Sequence, residues 1–159
     1  MEPARAHVRA REVALERVLP TAPEVAAFIA IERSAEGLRT YSAMTDEPEA
    51  RTSIETEMVQ FITVAGERIG SISYALTSPA HAHLSGLIVL PEYRGQGIAR
   101  RAMEMVLGAL ASVQTIDLVT HPENARAIAL YESLGFEKGA VRDDYFGDGE
   151  PRLTMVLRR

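Results

Sequence analysis

Residues 83–100, with the sequence HLSGLIVLPEYRGQGIAR, decide the fold because they join an apolar stretch, a glycine-rich loop and a helical pattern. The stretch from His83 to Leu90 predicts a strand that is apolar enough for the middle of a sheet. From Ile98 the apolar spacing predicts a helix to about residue 112, and a short strand follows at 116–120. We expect this β-α-β unit to be parallel and right-handed.

The loop between this strand and this helix is suited to binding an anion. Its glycines, Gly95 and Gly97, permit a tight turn and leave backbone N–H groups uncovered. The first turn of a helix adds unpaired N–H groups and a partial positive charge, which together bind phosphate. Arg94, Arg100 and Arg101 add positive charge in an acidic chain. The alternative is a turn that uses glycine for steric reasons alone, and the spacing matches neither the P-loop nor the dinucleotide-binding pattern.

A second stretch, residues 124–136, has the sequence NARAIALYESLGF and predicts a helix that ends at Gly135. Asn124 stands at its start, where asparagine is a good N-cap. Tyr131 is either a core aromatic or, if its hydroxyl faces a cleft, a general acid. The predicted apolar stripe of this helix comprises Ala127, Leu130, Tyr131 and Leu134.

The rest of the chain supplies further strands and helices. Residues 13–18 alternate apolar and polar and predict a first strand. Residues 21–24 predict a capping box with an early proline, followed by a helix. Residues 34–57 predict a loop and a short second helix after Pro48. The other expected strands are Met58–Val64, Arg68–Leu76, one from Phe136 and one over Leu153–Leu157. This order predicts a mixed α/β (α+β) fold, with a central, mostly antiparallel sheet, helices on both faces and one parallel β-α-β unit.

Composition limits the classes of protein to which the chain can belong. The 159 residues are 47% hydrophobic and 25% charged, so we expect one globular domain over 1–159, with a loose N-terminus at 1–7. The formal charge of −5 argues against a nucleic-acid-binding protein. The absence of cysteine excludes disulfides, thiolate metal sites and cysteine nucleophiles. We expect no membrane span and a cytoplasmic location, because we find neither a long apolar run nor a signal core.

Together the two stretches resemble motifs of the GNAT superfamily, the acyl-CoA-dependent N-acetyltransferases. The family shows Q/R-x-x-G-x-G/A after its fourth strand, and Arg94, Gly97 and Ala99 match that pattern. It shows N-x-x-A-x-x-L-Y-x-x-x-G-F after its fifth strand, and the matching residues here are Asn124, Ala127, Leu130, Tyr131, Gly135 and Phe136. The resemblance covers residues 57–159, and the first third fits loosely.

The resemblance implies a GNAT fold and an enzyme that moves the acetyl group of acetyl-CoA to a primary amine. The acceptor would be a small molecule or a peptide, and its amine would attack directly in a ternary complex. The alternative is a non-catalytic module that binds or senses acyl-CoA on the same fold.

The resemblance also implies a role for each matching position. Backbone amides of the glycine loop would hold the pyrophosphate of acetyl-CoA, and the central strand would pair its edge with the pantetheine arm. Asn124 would contact that arm, and Arg126 would reach the phosphates or lie solvated on its helix. Tyr131 would protonate the departing thiolate. The implied cofactor-binding residues of strand and loop are Leu87, Ile88, Val89, Arg94, Gly95, Gln96, Gly97, Ile98, Ala99 and Arg100.

The group that takes the proton from the acceptor amine stays open at this point. His83 and Ser85 lie on the predicted central strand, His121 follows the next strand and Glu57 starts a neighbouring one. We favour His83. The four histidines form no metal-ligand set, and acyl transfer to an amine needs no metal.

The acceptor is indicated only by charge. Residues 32–57 carry seven acidic residues and three arginines, a local charge of −7 + 3 = −4. In the GNAT family this segment borders the acceptor pocket, so an acidic rim would attract a cationic acceptor such as a polyamine, an aminoglycoside or a basic peptide. A solvated helix face is the alternative.

One departure from the family bears on the acceptor. Family members that acetylate ribosomal-protein N-termini tend to have E-V-R before the asparagine motif. This chain has the sequence LVTHPE at 118–123 in that position, which argues against a protein N-terminus as the acceptor. The chain would act as a monomer or a homodimer.

Overall fold

The computed structural model describes residues 12–159, so the predicted loose end at 1–7 lies outside the described residues. A sheet of seven strands, in the order β1-β2-β3-β4-β5-β7-β6, forms the centre. The strands are β1 Val13–Arg17, β2 Met58–Val64, β3 Glu67–Ser78, β4 His81–Val89, β5 Thr115–Thr120, β6 Glu137–Arg142 and β7 Arg152–Arg158. The α-helices are α1 Ala22–Arg33, α2 Glu47–Thr56, α3 Ile98–Ala109 and α4 Ala125–Ser133.

The strand pairing confirms the predicted fold class. β4 and β5 are parallel and are joined through α3, while the other neighbouring pairs are antiparallel. The predicted hairpin of β2 and β3 is present, with its turn at Ala65 and Gly66. Within residues 12–159, no helix is both long enough and apolar enough to cross a membrane.

Hydrophobic cores lie on both faces of the sheet, as the order of elements predicted. Phe61 and Ile62 are neighbours on β2 and both are fully buried, but they belong to different cores because successive side chains of a strand point to opposite faces. Phe61 packs with residues of α1 and α2, including Phe28 and Ile54. Ile62 belongs to the core that contains the buried face of α3, including Met103.

Two local predictions for the helices are wrong in detail. Thr21 is the N-cap of α1, but its side chain makes no capping hydrogen bond. Glu24, the other half of the predicted capping box, instead forms an ion pair with Arg68 of β3 at 2.7 Å. The buried residues of α3 are Ile98, Ala102, Met103 and Val106, whereas Ala109, which the apolar spacing from Ile98 places on the same face, is exposed.

Helix α3 also ends earlier than residue 112, the end that its apolar pattern predicts. It ends at Ala109 because Leu110 and Val113 turn into the core instead of continuing the helix, and the backbone N–H of Val113 donates to the carbonyl of Leu110. In α4 the one buried residue is Ile128, which the predicted stripe did not include. The predicted stripe is only half-buried, since Ala127, Leu130 and Tyr131 line a cleft.

Gly70 on β3 and Gly108 on α3 form a matched pair for testing how closely β3 and β4 approach. A Cβ atom at Gly70 would lie 2.3 Å from the carbonyl oxygen of Ile88, so β4 would have to shift. We expect Gly70→Ala to lower the free energy of unfolding by roughly 1–3 kcal/mol. A Cβ atom at Gly108 meets nothing within 4 Å, so Gly108→Ala should raise it by about 0.5–1 kcal/mol, since alanine favours helix. Urea unfolding measures both changes, and a Gly70→Ala protein as stable as its parent would contradict the close approach.

Candidate active site

The central feature of the site is the separation of β4 from β5. Their parallel ladder begins at His81–Thr115 and its last pair is Leu84–Leu118. Beyond that pair β4 continues to Val89 along β3, while β5 stays paired with β7. The two strands therefore diverge, and a cleft of about 540 Å³ opens between them. We call this space the cleft; it is also lined by the glycine loop, α3, α4, the α1–α2 loop and the β6–β7 loop.

A β-bulge on β4 coincides with the point of separation. Gly86 pairs with Ser73 of β3 and Leu84 pairs with Tyr74, so Ser85 is an extra residue on β4. A bulge of this kind bends its strand and re-aims the side chain at that position. Ser85 is exposed and lines the cleft.

The backbone of β4 offers hydrogen-bonding groups to the cleft. The N–H of Leu90 donates to the carbonyl of Ile69 at 2.8 Å, so this residue and Ile88 direct their backbone groups toward β3. Leu87 and Val89 consequently direct theirs toward the space between β4 and β5. The side chain of Arg94 already takes one of these groups, since its Nε donates to the carbonyl of Val89 at 2.9 Å. The side chain of Ile88 is buried in the core under α1 and α2.

The glycine loop ends at a helix N-terminus whose N-cap residue, Gly97, has no side chain to cap it. Gly95 and Gly97 both have φ near +79°, a conformation that favours glycine, and Gly97 is the N-cap of α3. The first turn of α3 contains no acidic residue and its N-cap makes no side-chain hydrogen bond. A Cβ atom built on Gly97 meets nothing within 4 Å. The loop therefore presents N–H groups and the positive end of a helix dipole to an open space, as the anion-site hypothesis requires.

Three arginines surround this helix N-terminus. Arg126 crosses from α4, and its Nη2 would lie 3.8 Å from a Cβ atom on Gly95. Arg100 turns toward α4, where it hydrogen-bonds the hydroxyl of Ser133. Arg94, Arg100 and Arg126 all line the cleft. Gln96 is the one predicted loop residue that does not line it.

Tyr131 and Asn124 face the cleft from α4 and its start. Asn124 is the N-cap of α4, and its Oδ1 accepts the N–H of Ala127 at 3.3 Å. The ring of Tyr131 packs on Phe136 with 5.9 Å between the ring centroids. Burial raises the pKa of Tyr131 to about 12, so the phenol keeps its proton at neutral pH. Within residues 12–159 its hydroxyl has no hydrogen-bond partner, which leaves the proton available to a ligand in the cleft.

His83 does not line the cleft. Its Nδ1 lies 2.5 Å from one carboxylate oxygen of Asp117, and Nε2 of His81 lies 2.6 Å from the other. Burial favours the neutral carboxyl, but the hydrogen bonds to His83 and His81 outweigh it and lower the pKa of Asp117. The geometry thus gives His83 a carboxylate partner at the paired end of β4 and β5. Its assignment as the base stays a prediction, which this placement does not favour.

His121 is buried and uses both ring nitrogens within the protein. Its Nδ1 accepts the backbone N–H of Glu123 at 3.1 Å, so the ring proton belongs on Nε2, which donates to Glu150 at 2.9 Å. Arg39 of the α1–α2 loop forms ion pairs with Glu123 and Glu150. The hydrogen bond from His121, and the contacts with Arg39, lower the pKa of Glu150. We call these four residues the ionic cluster; it ties together three loops, which follow α1, β5 and β6.

A smaller cavity of about 40 Å³ adjoins the cleft and shares Tyr41, Ser42, Ser85 and Gly86 with it. We call it the side pocket. It contains Glu57, whose Oε2 accepts the hydroxyl of Ser85 at 2.6 Å. It also contains Glu32, which accepts the hydroxyl of Tyr41 at 3.0 Å.

Burial raises the pKa values of Glu32 and Tyr41 in the side pocket. It raises the pKa of Glu32, against the hydrogen bonds from the N–H of Met44 and the hydroxyl of Tyr41. It also raises the pKa of Tyr41 well above its usual range, and the nearby Glu32 and Tyr131 raise it further. The Tyr41 hydroxyl thus stays protonated and donates to Glu32.

The acidic segment 32–57 does not form a continuous rim on the cleft. Of its seven acidic residues, only Glu32 and Glu57 line the side pocket, and none lines the cleft itself. Asp46 instead caps α2, and Glu47 pairs with Arg51. No group of three or more His, Asp and Glu side chains is arranged to hold a metal ion in the part of the chain that the structure describes.

Other lining residues carry no sequence motif. Phe146 and Arg152 line the cleft from the β6–β7 loop and the start of β7, with the guanidinium 5.1 Å from the ring centroid. Asp117 was also absent from the candidates. The sequence places Asp117 on the strand that follows the H-x-H strand. Its contact with the two histidines can be predicted only when the parallel register of β4 and β5 is known.

Comparison with known proteins points to one family. The model of the Acetyltransferase (GNAT) family matches residues 25–136. The ribosomal protein bS18-alanine N-acetyltransferase of Escherichia coli is 40% identical over 78 residues, which are 48% of this chain and 53% of that protein. The spermidine N(1)-acetyltransferase of the same organism is 27% identical over 97 residues, 58% of this chain and 52% of that protein. The chain thus spans about half the length of these curated relatives.

The similarity extends over most of the chain in three dimensions. The crystal structure of the ribosomal-protein-S18-alanine N-acetyltransferase from Escherichia coli superposes with a TM-score of 0.75. The alignment covers 92% of this chain and 93% of that one, at 25% identity.

The raised pKa of Tyr131 predicts a pH dependence of stability. A folded-state pKa near 12, against about 10 for an unfolded tyrosine, stabilises the fold below pH 10. This contribution is lost as the pH rises from about 10 to 12. We expect Tyr131→Phe to lose stability less steeply than its parent over that range. The matched control is Tyr145→Phe, at an exposed position. Urea unfolding at a series of pH values measures the slopes, and identical slopes for Tyr131→Phe and the parent would contradict the assigned pKa.

Proposed function

The chain belongs to the GNAT acetyltransferase family, and we propose that it transfers the acetyl group of acetyl-CoA to a primary amine. We propose further that residues 1–159 act as one domain and that the amine attacks directly in a ternary complex. The observation that carries the proposal is the cleft, where an open strand edge, an uncapped helix N-terminus and a protonated tyrosine converge.

The donor site is supported by two independent features of the cleft. The free N–H and C=O of Leu87 suit the amide groups of a pantetheine arm, which would take the place of the missing β5 partner. The N-terminus of α3, with Gly97 and the nearby Arg126, suits a pyrophosphate. One continuous cleft extends from the glycine loop to the edge of β4, so one extended molecule can contact the loop and the strand together.

The chemistry needs the remaining groups of the cleft. The amine nitrogen forms a bond to the thioester carbon, and the bond from that carbon to sulfur breaks. Negative charge develops first on the carbonyl oxygen, where a backbone N–H of β4 such as that of Leu87 is a suitable donor. It then develops on sulfur, to which Tyr131 donates its proton. The pKa of about 12 keeps this tyrosine protonated and ready to donate at neutral pH.

The acceptor is proposed at the level of its reacting group, with a cationic molecule favoured. The two relatives named above act on an alanine amine and on spermidine, and both are primary amines. Glu32 and Glu57 beside the cleft favour a cationic acceptor. The segment 118–123, LVTHPE, stands where the ribosomal-protein pattern has E-V-R, which argues against a protein N-terminus as the acceptor, and its His121 is held in the ionic cluster.

Replacing Tyr131 with phenylalanine tests the proton donor. We expect Tyr131→Phe to lower kcat by about 100-fold or more, because the thiolate loses its general acid. The dissociation constant for CoA should stay within about threefold of the parent value, because the ring is retained. Thiol release with a panel of amines measures the first quantity and calorimetry the second.

The control for this variant is Tyr74→Phe, on β3 and outside the cleft lining, which should keep full activity. An unchanged kcat in Tyr131→Phe would contradict the assignment. A parent protein that binds CoA but acetylates no amine would favour the sensing module, and one that does not bind CoA would contradict the donor site.

Gly97 tests the anion site. Its φ of +79° and the open space beside it mean that the methyl group of Gly97→Ala would project toward the bound phosphates. We expect the dissociation constant for CoA to rise about tenfold or more, equivalent to about 1.4 kcal/mol. Gly66→Ala is the matched control, since Gly66 has φ of +82° and open space but lies in the β2–β3 turn. Both variants carry the same backbone strain, so equal CoA affinity in the two would argue against the loop as the phosphate site.

A further inference from the structure

We propose that Glu57, acting through Ser85, takes the proton that the acceptor nitrogen loses during acetyl transfer. This inference rests on the proposed function and adds a proton acceptor to it. It is carried by the position of Ser85, by the direction of its hydrogen bond and by the surroundings of Glu57.

Ser85 occupies the position where an attacking amine has to arrive. It is the bulged residue of β4, one residue after the last β4–β5 pair, Leu84–Leu118. It is two residues before Leu87, whose backbone N–H we assign to the carbonyl oxygen. Ser85 lines both the cleft and the side pocket, so its hydroxyl lies between the reacting space and Glu57.

The direction of the hydrogen bond makes Ser85 a proton relay. A serine hydroxyl has one proton to donate, and Glu57 at 2.6 Å is an acceptor when ionised. The Oγ of Ser85 then keeps its lone pairs for another donor. The hydroxyl of Ser73 lies 3.0 Å away, and the acceptor N–H can take the side that faces the cleft. Such hydrogen bonds to an ionised group are short and strong, which fits the 2.6 Å distance.

The surroundings of Glu57 leave its negative charge without a cation. Among residues 12–159, no Lys, Arg or His forms an ion pair with it. The hydroxyl of Ser53 in α2 donates to it at 3.3 Å. The ionisable groups that share the side pocket are Glu32 and Tyr41, which hydrogen-bond each other.

The two histidines considered as bases are less suitably placed than Glu57. His83 is paired with Asp117 and does not line the cleft. His121 has both ring nitrogens engaged, by Glu123 and Glu150. Glu57 is thus the one of these candidates whose contact leads into the cleft.

The proton balance of the reaction defines the task of the relay. A primary ammonium loses two protons on its way to the amide, while the departing sulfur gains one, so one proton leaves the site. The nitrogen becomes far more acidic once the N–C bond forms, and a carboxylate can then receive its proton. That proton passes to Oγ of Ser85 as the serine passes its own to Oε2 of Glu57, and Glu57 releases it to water. The ammonium gives its first proton to water before the neutral amine attacks, and a proton from water replaces the one that Tyr131 gives to sulfur, so one proton leaves overall.

Four variants test the relay in the full-length chain with the best amine of the panel. Glu57→Gln keeps the shape and removes the base, so we expect kcat to fall about 100-fold or more. Glu57→Asp keeps the carboxylate and should recover part of that loss. Ser85→Ala should lower kcat as well, and the double variant Glu57→Gln with Ser85→Ala should be no slower than the slower single variant. The dissociation constant for CoA should stay within about threefold of the parent throughout.

Matched controls come from exposed positions outside the cleft. Glu137→Gln on β6 and Ser112→Ala after α3 should leave kcat unchanged. A Glu57→Gln protein within threefold of the parent kcat would overturn the inference. Losses that multiply in the double variant, or that come with an equal loss of CoA affinity, would also overturn it, because they indicate separate or structural roles. A parent that releases no thiol with any amine contradicts the proposed function itself, and this inference falls with it.

Discussion

The β4–β5 ladder has its last pair at Leu84–Leu118, and the rest of the site depends on that break. A parallel pair normally satisfies the backbone groups of both strands along their length. Here β4 remains anchored to β3 and β5 remains anchored to β7, so each strand is held on one side while the space between them opens. The sheet can therefore lose several hydrogen bonds at its centre without losing either strand, and Leu87 keeps polar groups that a ligand can use.

Positive and negative charge lie at different ends of the cleft. At one end, the N-terminus of α3 and Arg126 present positive charge in a chain of net charge −5. At the bulge, Glu57 and Glu32 line a side pocket to which no basic residue of 12–159 contributes. A donor with anionic phosphates and an acceptor with a cationic amine would each be drawn to the matching end. Between the positive and the negative end lies β4, and the neutral Tyr131 of α4 lines the same cleft.

The sequence predicted the features that arise from neighbouring residues. Strand and helix order and the parallel unit follow from short patterns, and the structure confirms them. The predicted capping box is absent, and Glu24 instead forms an ion pair with Arg68, 44 positions further along the chain. The stripe of α4 failed because a cleft, rather than the core, faces part of that helix. Both errors come from contacts that local spacing does not record.

The roles of the reacting groups are harder still to predict from local sequence, because hydrogen bonds between distant residues determine what each group can do. His83 was favoured as the base because it lies on the central strand, yet its role depends on its contact with Asp117, 34 positions away. Glu57 stood out less, yet its contact with Ser85 spans 28 positions and depends on a bulge that no pattern in the sequence indicated. A side chain's type therefore gives the chemistry that is possible, and its partner decides which part of that chemistry is left. His121 has both ring nitrogens engaged and His83 lies outside the cleft lining, whereas Glu57 is reached from the cleft through the hydroxyl of Ser85 and can accept a proton there.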